Sequence, residues 1–507
     1  MESVNKGRIA KNTVFLYFRM LFVMVISLYT SRVILEILGI EDFGIYQSVG
    51  GIVGMMTFLN GALGTGISRF ITFELGKNDP KSLKATFAST ICLQLILIAL
   101  IVIAAETVGL WFVNNKLQIP AESKNAALWA YHLSILTTAI SLFSGPYVAS
   151  IIAHERLNLF AYMGIYDVAA KLGVVYLLNV GDINHLIFYA FLLLLVQASN
   201  TIFYLINCLR NFPECRCFPS FHAKIFKQIG SFSGWSLFAN MSIALNGQGV
   251  IVLLNMFFSP AVVTARTISL QVNAAANNFV SNFRVAVNPQ IVKQYAATNY
   301  EESKSLLLSS TKFSYYMMLL LAIPIFMAAS PLLHVWLKEV PQYTVIFLQL
   351  VIVQSLFQVF DTSFYTALYA KGDLKLNALI SPTIGFLMFP IVYIMFKMGA
   401  SPIALSWASL ILYAILGLIV KPILIIKIVK YTWTEILNVY KPCLIVTLVA
   451  GSISYLLTRQ IDDNGFVALC KITAICLGIC IPTIYFLGLT KPMKDKLKNA
   501  MLKKLRN

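Results

Sequence analysis

Apolar runs of about 20 residues recur along the whole chain, separated by short polar turns. A bilayer's hydrocarbon core takes about 20 apolar residues per helix, so each run predicts one membrane span. Fourteen are expected: 12–38, 43–75, 83–106, 125–149, 158–178, 184–209, 223–257, 262–295, 304–328, 342–369, 376–397, 402–428, 440–458 and 466–489. Local punctuation agrees with these limits. Gly39 is placed to close the first span as a C-terminal cap. Glu41 and Asp42 are placed to cap the start of the second. Pro80, Pro120, Pro260 and Pro341 sit in or beside turns. Pro146, Pro289, Pro324, Pro382 and Pro390 fall inside spans or near their ends. Lipid-embedded helices tolerate such prolines and often bend at them.

Composition excludes every soluble globular class. Of 507 residues 58% are hydrophobic and 12% charged, and mean hydropathy is +0.78. The expected fold class is an all-α polytopic membrane protein with fourteen transmembrane helices. No cleavable signal is expected, because the first apolar run is too long for one and holds Arg19 and Arg32.

The basic residues set an orientation. With the N-terminus in the cytoplasm, the inner segments hold 26 Lys and Arg, with Lys421 and Lys427 counted among them. The outer segments hold five: Lys116, Lys124, Lys338, Lys397 and Arg459. This asymmetry predicts both termini inside. The net charge of +18 is scattered over short loops. It is accounted for by orientation and by contact with anionic inner-leaflet lipids, so no nucleic-acid partner is expected. The basic tail from Thr490 has the same reading. Eight cysteines are spread thinly. Cys92, Cys443, Cys470, Cys476 and Cys480 fall in spans as small apolar groups. Cys215, Cys217 and His222 share one inner loop, but their spacing suits a metal poorly and a fourth ligand is missing.

The chain also repeats itself weakly. The stretch from Glu41 aligns with that from Pro260, and the stretch from Tyr147 with that from Phe364, at offsets of about 217–221 residues. An offset of six helices preserves inside-outside orientation, so the halves are expected to be parallel repeats. Residues 1–222 form the expected N-lobe, 223–430 the C-lobe, and 431–507 an added helix pair with the tail. Such lobes usually meet at a central cavity that opens alternately to each side.

The chain resembles a known family. The stretch LGIEDFGIY at 38–46, followed by a Gly-rich second helix, is similar to the start of polysaccharide flippases of the multidrug/oligosaccharidyl-lipid/polysaccharide exporter superfamily. The helix count, the six-plus-six-plus-two plan and the basic tail fit that family over essentially the whole chain. The resemblance implies movement of undecaprenyl-diphosphate-linked oligosaccharides from the inner to the outer leaflet of the bacterial plasma membrane. It implies no cofactor. Its implied partners are the lipid-linked substrate and membrane lipids, with room for a coupling ion and for polysaccharide-assembly proteins. It carries no strict catalytic motif, so site residues are read from this sequence.

Charges inside spans carry that reading, since each costs on the order of 2.5–3.5 kcal/mol at mid-bilayer unless it faces a partner or water. Arg32 with Glu36, and Asp167 with Lys171, are spaced i,i+4 and are expected to pair locally. Glu74, Glu106, Lys312 and Lys471 lie close enough to span ends to snorkel. Arg19, Arg69, Arg266 and Arg284 have no acid at helical spacing. Arg266 and Arg284 are eighteen residues apart, five helical turns, and Asn273 and Asn277 fall within about 20° of the same line. This polar stripe reads as a cavity-facing ladder of anion and hydroxyl donors. The rival reading has the Arg side chains snorkelling while the Asn residues join helices. Arg69 shares its face with Thr65 and Thr72. A guanidinium makes bidentate bonds and stays charged when partly buried, which suits a diphosphate.

Gln354, Gln358 and Asp361 share one face of the tenth span, and Asp361 is expected to pair with a cavity Arg or to titrate as a coupling group. The candidate substrate-contacting set is therefore Arg19, Arg69, Arg266, Asn273, Asn277, Arg284 and Asp361. Asn246–Gly249 is expected to interrupt the seventh span, either exposing carbonyls or allowing tight packing. The glycines of the second span read as packing contacts. No phosphate-cradling loop, metal-ligand cluster or soluble ATPase-sized region is present in the sequence, so an enzyme is not expected. The alternative function is a cation-coupled multidrug exporter, which would commonly rely on membrane carboxylates. A membrane glycosyltransferase or ligase would need a large outer catalytic loop, and the longest here, near 107–124, is short.

Overall fold

The computed structural model describes residues 6–77, 79–178, 184–461, 463–489 and 494, and among these the regular structure is helical throughout. The first helical run, Lys6–Met56, is broken at Gly39, whose φ of 78° and ψ of 171° belong to a region essentially restricted to glycine. The break divides α1 (6–38) from α2 (40–76), and α2 is itself interrupted at Thr57. There follow α3 (Pro80–Asn115), α4 (Lys124–Ala153), α5 (Leu157–Leu177), α6 (His185–Asn211), α7 (223–257), α8 (Pro260–Ala296) and α9 (Tyr300–Met327). The last five are α10 (Thr344–Lys371), α11 (Lys375–Lys397), α12 (Ala404–Val429), α13 (Trp433–Thr458) and α14 (Phe466–Gly488).

Each of the fourteen expected spans thus has a helix. Among the described residues eleven helical stretches are long and apolar enough to cross a membrane, with α1 and α2 counted as one and neither α5 nor α8 among them. The protein is an all-α, multi-pass membrane protein. Large apolar side chains stand exposed on the helix surfaces, among them Ile103, Val108, Leu444, Leu448 and Phe486. Lipid is the solvent that such side chains match.

Several boundaries differ from expectation, and α3 runs to Asn115 rather than 106. The helix of α2 already runs through Glu41 and Asp42, so neither is a cap, and Asp42 instead accepts a hydrogen bond from Ser123 Oγ at 3.5 Å. Helix α13 starts at Trp433 rather than 440, because Thr432 and Glu435 form a reciprocal capping box.

Packing divides the chain into two compact units. The first holds residues 1–267 and 382–402; the second holds 268–381 and 403–507. The core of the first is built on α2, α3, α4 and α6, with Ile67, Ile71, Phe87, Ile151 and Cys208 buried together. Here the motif at 38–46 acquires a physical cause. A Cβ on Gly44 would collide with the backbone carbonyl of Pro260, the first residue of α8. Without a side chain at 44, α8 approaches closely enough for Thr264 Oγ1 to donate to the carbonyl of Ile40 at 2.6 Å. That carbonyl sits beside the Gly39 break, where helical pairing is interrupted.

The core of the second unit lies among α9, α10, α12, α13 and α14. Phe360 stacks on Tyr315 at 4.9 Å and meets Tyr440 edge-on at 4.7 Å. Widened π turns occur at Ala105–Gly109, Leu245–Gly249, Leu416–Val420 and Ile484–Gly488. In three of them a tyrosine from a neighbouring helix donates to a turn carbonyl: Tyr131 to Ala105 (2.7 Å), Tyr440 to Gly417 (2.6 Å) and Tyr316 to Gly488 (3.1 Å). A π turn displaces the regular helical pairing of carbonyls, and each hydroxyl adds a bond there.

Candidate functional site: a cavity around Arg69 and a buried ion pair

Within the first unit, α2 and α4 line an open cavity of about 900 Å³. Its polar lining comprises Asn60, Ser68, Arg69, Thr72, Ser141 and Ser144, and its apolar lining includes Phe73, Val148 and Ile152. Asn60, one turn after the interruption of α2 at Thr57, accepts through its amide oxygen from Gln94 on α3 at 3.2 Å. Pro146, in the first turn after the break in α4, opens space beside Ser144 and Gly145. Arg69 is exposed toward this space, on the face that the sequence assigns to it with Thr72. The side chain of Thr65 lies outside the described residues, as does that of Arg19.

The polar stripe of α8 is real, and its lower part is a seam with α10. Ser355 Oγ donates to Asn273 Oδ1 at 2.5 Å, and Asn277 Nδ2 donates to Ser355 Oγ at 3.0 Å. Arg284 Nη2 donates to the Thr362 carbonyl at 2.5 Å, and Thr366 Oγ1 to Asn288 Oδ1 at 3.3 Å. Three of these links share a residue offset of 78, which two parallel helices in fixed register produce. Arg266, near the start of α8, is buried at 4% exposure.

Asp361 does pair with a cation, but the cation is Lys421 rather than a cavity Arg. Lys421 Nζ lies 3.3 Å from Asp361 Oδ1. Counted from sequence as an inner-loop charge, Lys421 is instead 3% exposed within α12. Pro422 follows it and cannot donate to the carbonyl of Leu418, which accounts for the π turn at Leu416–Val420. That turn rotates Lys421 inward. The signal was a Lys-Pro step inside an apolar run; its partner, sixty residues away on α10, has no local signature.

The other span charges sort as follows. Asp167 and Lys171 pair at 2.7 Å as expected, and Asn200 also donates to Asp167 at 3.0 Å. Glu74 does not snorkel. It is 8% exposed and accepts from Lys77 at 2.8 Å and Ser82 at 2.6 Å, which ties the end of α2 to the start of α3. Glu106, expected to snorkel, pairs with His132 of α4 at 3.0 Å. Three glycines of α2 pack closely, Gly51 and Gly54 against Gln248 of the α7 π turn and Gly61 against Asn240, whereas Gly50 and Gly64 have open space beside them. Asn246 donates to the Gly385 carbonyl at 3.2 Å, so the expected interruption of α7 is a widened turn joined to α11.

In the loop that carries Cys215 and Cys217, His222 Nδ1 is engaged with Ser89 Oγ at 3.0 Å. Hydrogen bonding with Cys208 and burial push the Cys215 thiol well up, and burial raises that of Cys217, so both are held as thiols rather than ligating thiolates. Among the described residues no group of three His, Cys, Asp or Glu is placed to hold a metal ion.

No protein-family model matches the sequence, and no curated protein does. Solved structures do match. An inward-facing multidrug resistance MATE family transporter of the MOP superfamily superposes with a TM-score of 0.67 at 15% identity, covering 82% of this chain and 99% of its own. The lipid II flippase MurJ in an inward closed conformation gives 0.66 at 14% identity, covering 93% of this chain and 98% of its own. A MOP superfamily transporter from Pyrococcus furiosus gives 0.53 at 13% identity, covering 81% and 96%. At such identities the likeness is one of architecture, and it is architecture that these comparisons establish: the chain has the fold of the MOP superfamily of membrane transporters.

Proposed function

We propose that this chain is a flippase. It carries undecaprenyl-diphosphate-linked oligosaccharide units from the inner to the outer leaflet of the bacterial plasma membrane by alternating access, for O-antigen, capsule or exopolysaccharide assembly. The observation that carries the reading is the Arg69 cavity. A single guanidinium stands there among Asn60, Ser68, Thr72, Ser141 and Ser144. The guanidinium fork suits a phosphate, and amides and hydroxyls suit sugars. The volume of about 900 Å³ falls in the range of small-molecule sites. The likeness to a lipid II flippase extends over 93% of this chain, against 82% for the MATE transporter. Charge alone carries Arg19, Arg266 and Arg284 as further anion contacts. The reading keeps the repeat division at 1–222, 223–430 and 431–507.

Reconstituted into vesicles with a fluorescent diphosphate-linked lipid oligosaccharide, the wild type should move substrate between leaflets. Arg69→Ala should slow this by roughly tenfold or more, the worth of one charge-assisted contact of about 1.5–3 kcal/mol. Arg69→Lys should recover only part, because charge returns without the fork. Undiminished flipping by Arg69→Ala removes the site. The MATE likeness favours multidrug export as the second reading, and cation-driven drug efflux without lipid flipping would establish it in place of the first.

Orientation is checked separately. Reporter fusions after Lys116 and Arg459 should report outside and one after Lys227 inside, as the 26-to-five loop charge asymmetry requires. One reversed fusion breaks the proposed topology.

A further inference from the structure

Lys421 is surrounded as a bound ion would be. Its ammonium lies 3.3 Å from Asp361 Oδ1, donates to the Asn377 side-chain oxygen and to Ser381 Oγ (3.2 Å), and sits 5.4 Å from the centre of the Tyr365 ring. The donors come from α10 and α11, and the ammonium from α12. One carboxylate, two neutral oxygens and a π face are the surroundings that hold a monovalent cation, since hard cations take oxygen ligands and ring faces attract positive charge. An ammonium resembles a potassium ion in size and charge.

Asp361 Oδ1 is buried and has no hydrogen-bond donor, although Nζ stands within ion-pair distance. The other charged group at this point is Arg284 of α8, whose guanidinium donates to the carbonyl of Thr362, next to Asp361.

We propose that this cradle is a monovalent-cation site that the chain fills with its own ammonium. The four-carbon stem makes occupancy intramolecular, so a diffusible Na⁺ or K⁺ competes against a high effective concentration of tethered charge. The tethered ammonium then supplies at Asp361 the positive charge that a metal ion would otherwise bring. This goes beyond the flippase reading and does not depend on it.

Lys421→Met removes the ammonium and retains an unbranched apolar stem. Purified in detergent, wild type and variant are melted in NaCl, in KCl and in N-methylglucamine chloride at equal ionic strength. The wild type should melt at the same temperature in all three. The variant should melt lower in N-methylglucamine and rise by about 2 °C or more in Na⁺ or K⁺, because a ligand bound only by the folded state raises the midpoint. The response should vanish in the Asp361→Asn/Lys421→Met double variant, which lacks the anionic ligand. Should Lys421→Met not survive purification, Lys421→Gln is read in the same way. A single variant no more sensitive to Na⁺ or K⁺ than the wild type overturns the proposal, as does an equal response in the double variant. Substrate flipping is not part of the readout, so failure here and failure of the proposed function are separate results.

Discussion

Asp361→Asn should destabilise the folded protein by about 3–5 kcal/mol, the cost of leaving one member of a buried pair without its counter-charge. Lys421 is 3% exposed and cannot reach water without moving α12. Asn377 and Ser381 would still accept from its ammonium, but neither carries charge. The double replacement Asp361→Asn/Lys421→Met should recover more than half of the loss, because neutral side chains of similar size remove the desolvation cost along with the attraction. Thermal melting in detergent reads both values. A single variant as stable as the wild type would mean that the pair is solvated, contrary to its burial.

Gly44→Ala should lower the yield of folded protein sharply and destabilise what remains by about 1–3 kcal/mol or more, the usual range for forcing atoms into a filled site. The added methyl would fall on the backbone carbonyl of Pro260 and within 2.8 Å of Thr264 Oγ1. Backbone cannot swing aside as a long side chain can, so α8 must shift as a body. The Thr264–Ile40 hydrogen bond of 2.6 Å is then lost as well. Gly50→Ala is the matched control. It lies in the same helix, and a methyl added there would meet nothing within 4 Å, so the change should be neutral or stabilising by up to about 1 kcal/mol. Equal effects at the two positions would show that helix propensity, rather than the approach of α8, governs this region.

The residues that sequence alone misplaces share a cause. Glu74 lies near a span end, where depth alone suggests snorkelling, yet it is buried against Ser82 of the next helix in the chain. Asp167 and Lys171 are placed correctly because an i,i+4 pair closes within one helix. Asn273 and Asn277 do share one face, but helical spacing leaves open what that face meets. Ser355 and Thr362 supply the answer from a helix nearly eighty residues away.

Periodicity and length were enough, from sequence, for the fourteen spans and the all-α class, because lipid leaves a spanning backbone little alternative to the helix. The break at Gly39 was equally legible, since a positive φ with extended ψ suits only glycine. The placement of Arg69 and Thr72 on one face followed from helical spacing alone. Tertiary structure decided the rest: that α4 lines an open cavity beside Arg69, that Gly44 admits the start of α8, that tyrosines bond to carbonyls of the π turns, and that Lys421 turns inward to Asp361. Each of these depends on which helix face meets which. Helix packing is set by side-chain shape and pairing across long sequence separations, and a one-dimensional pattern does not record it.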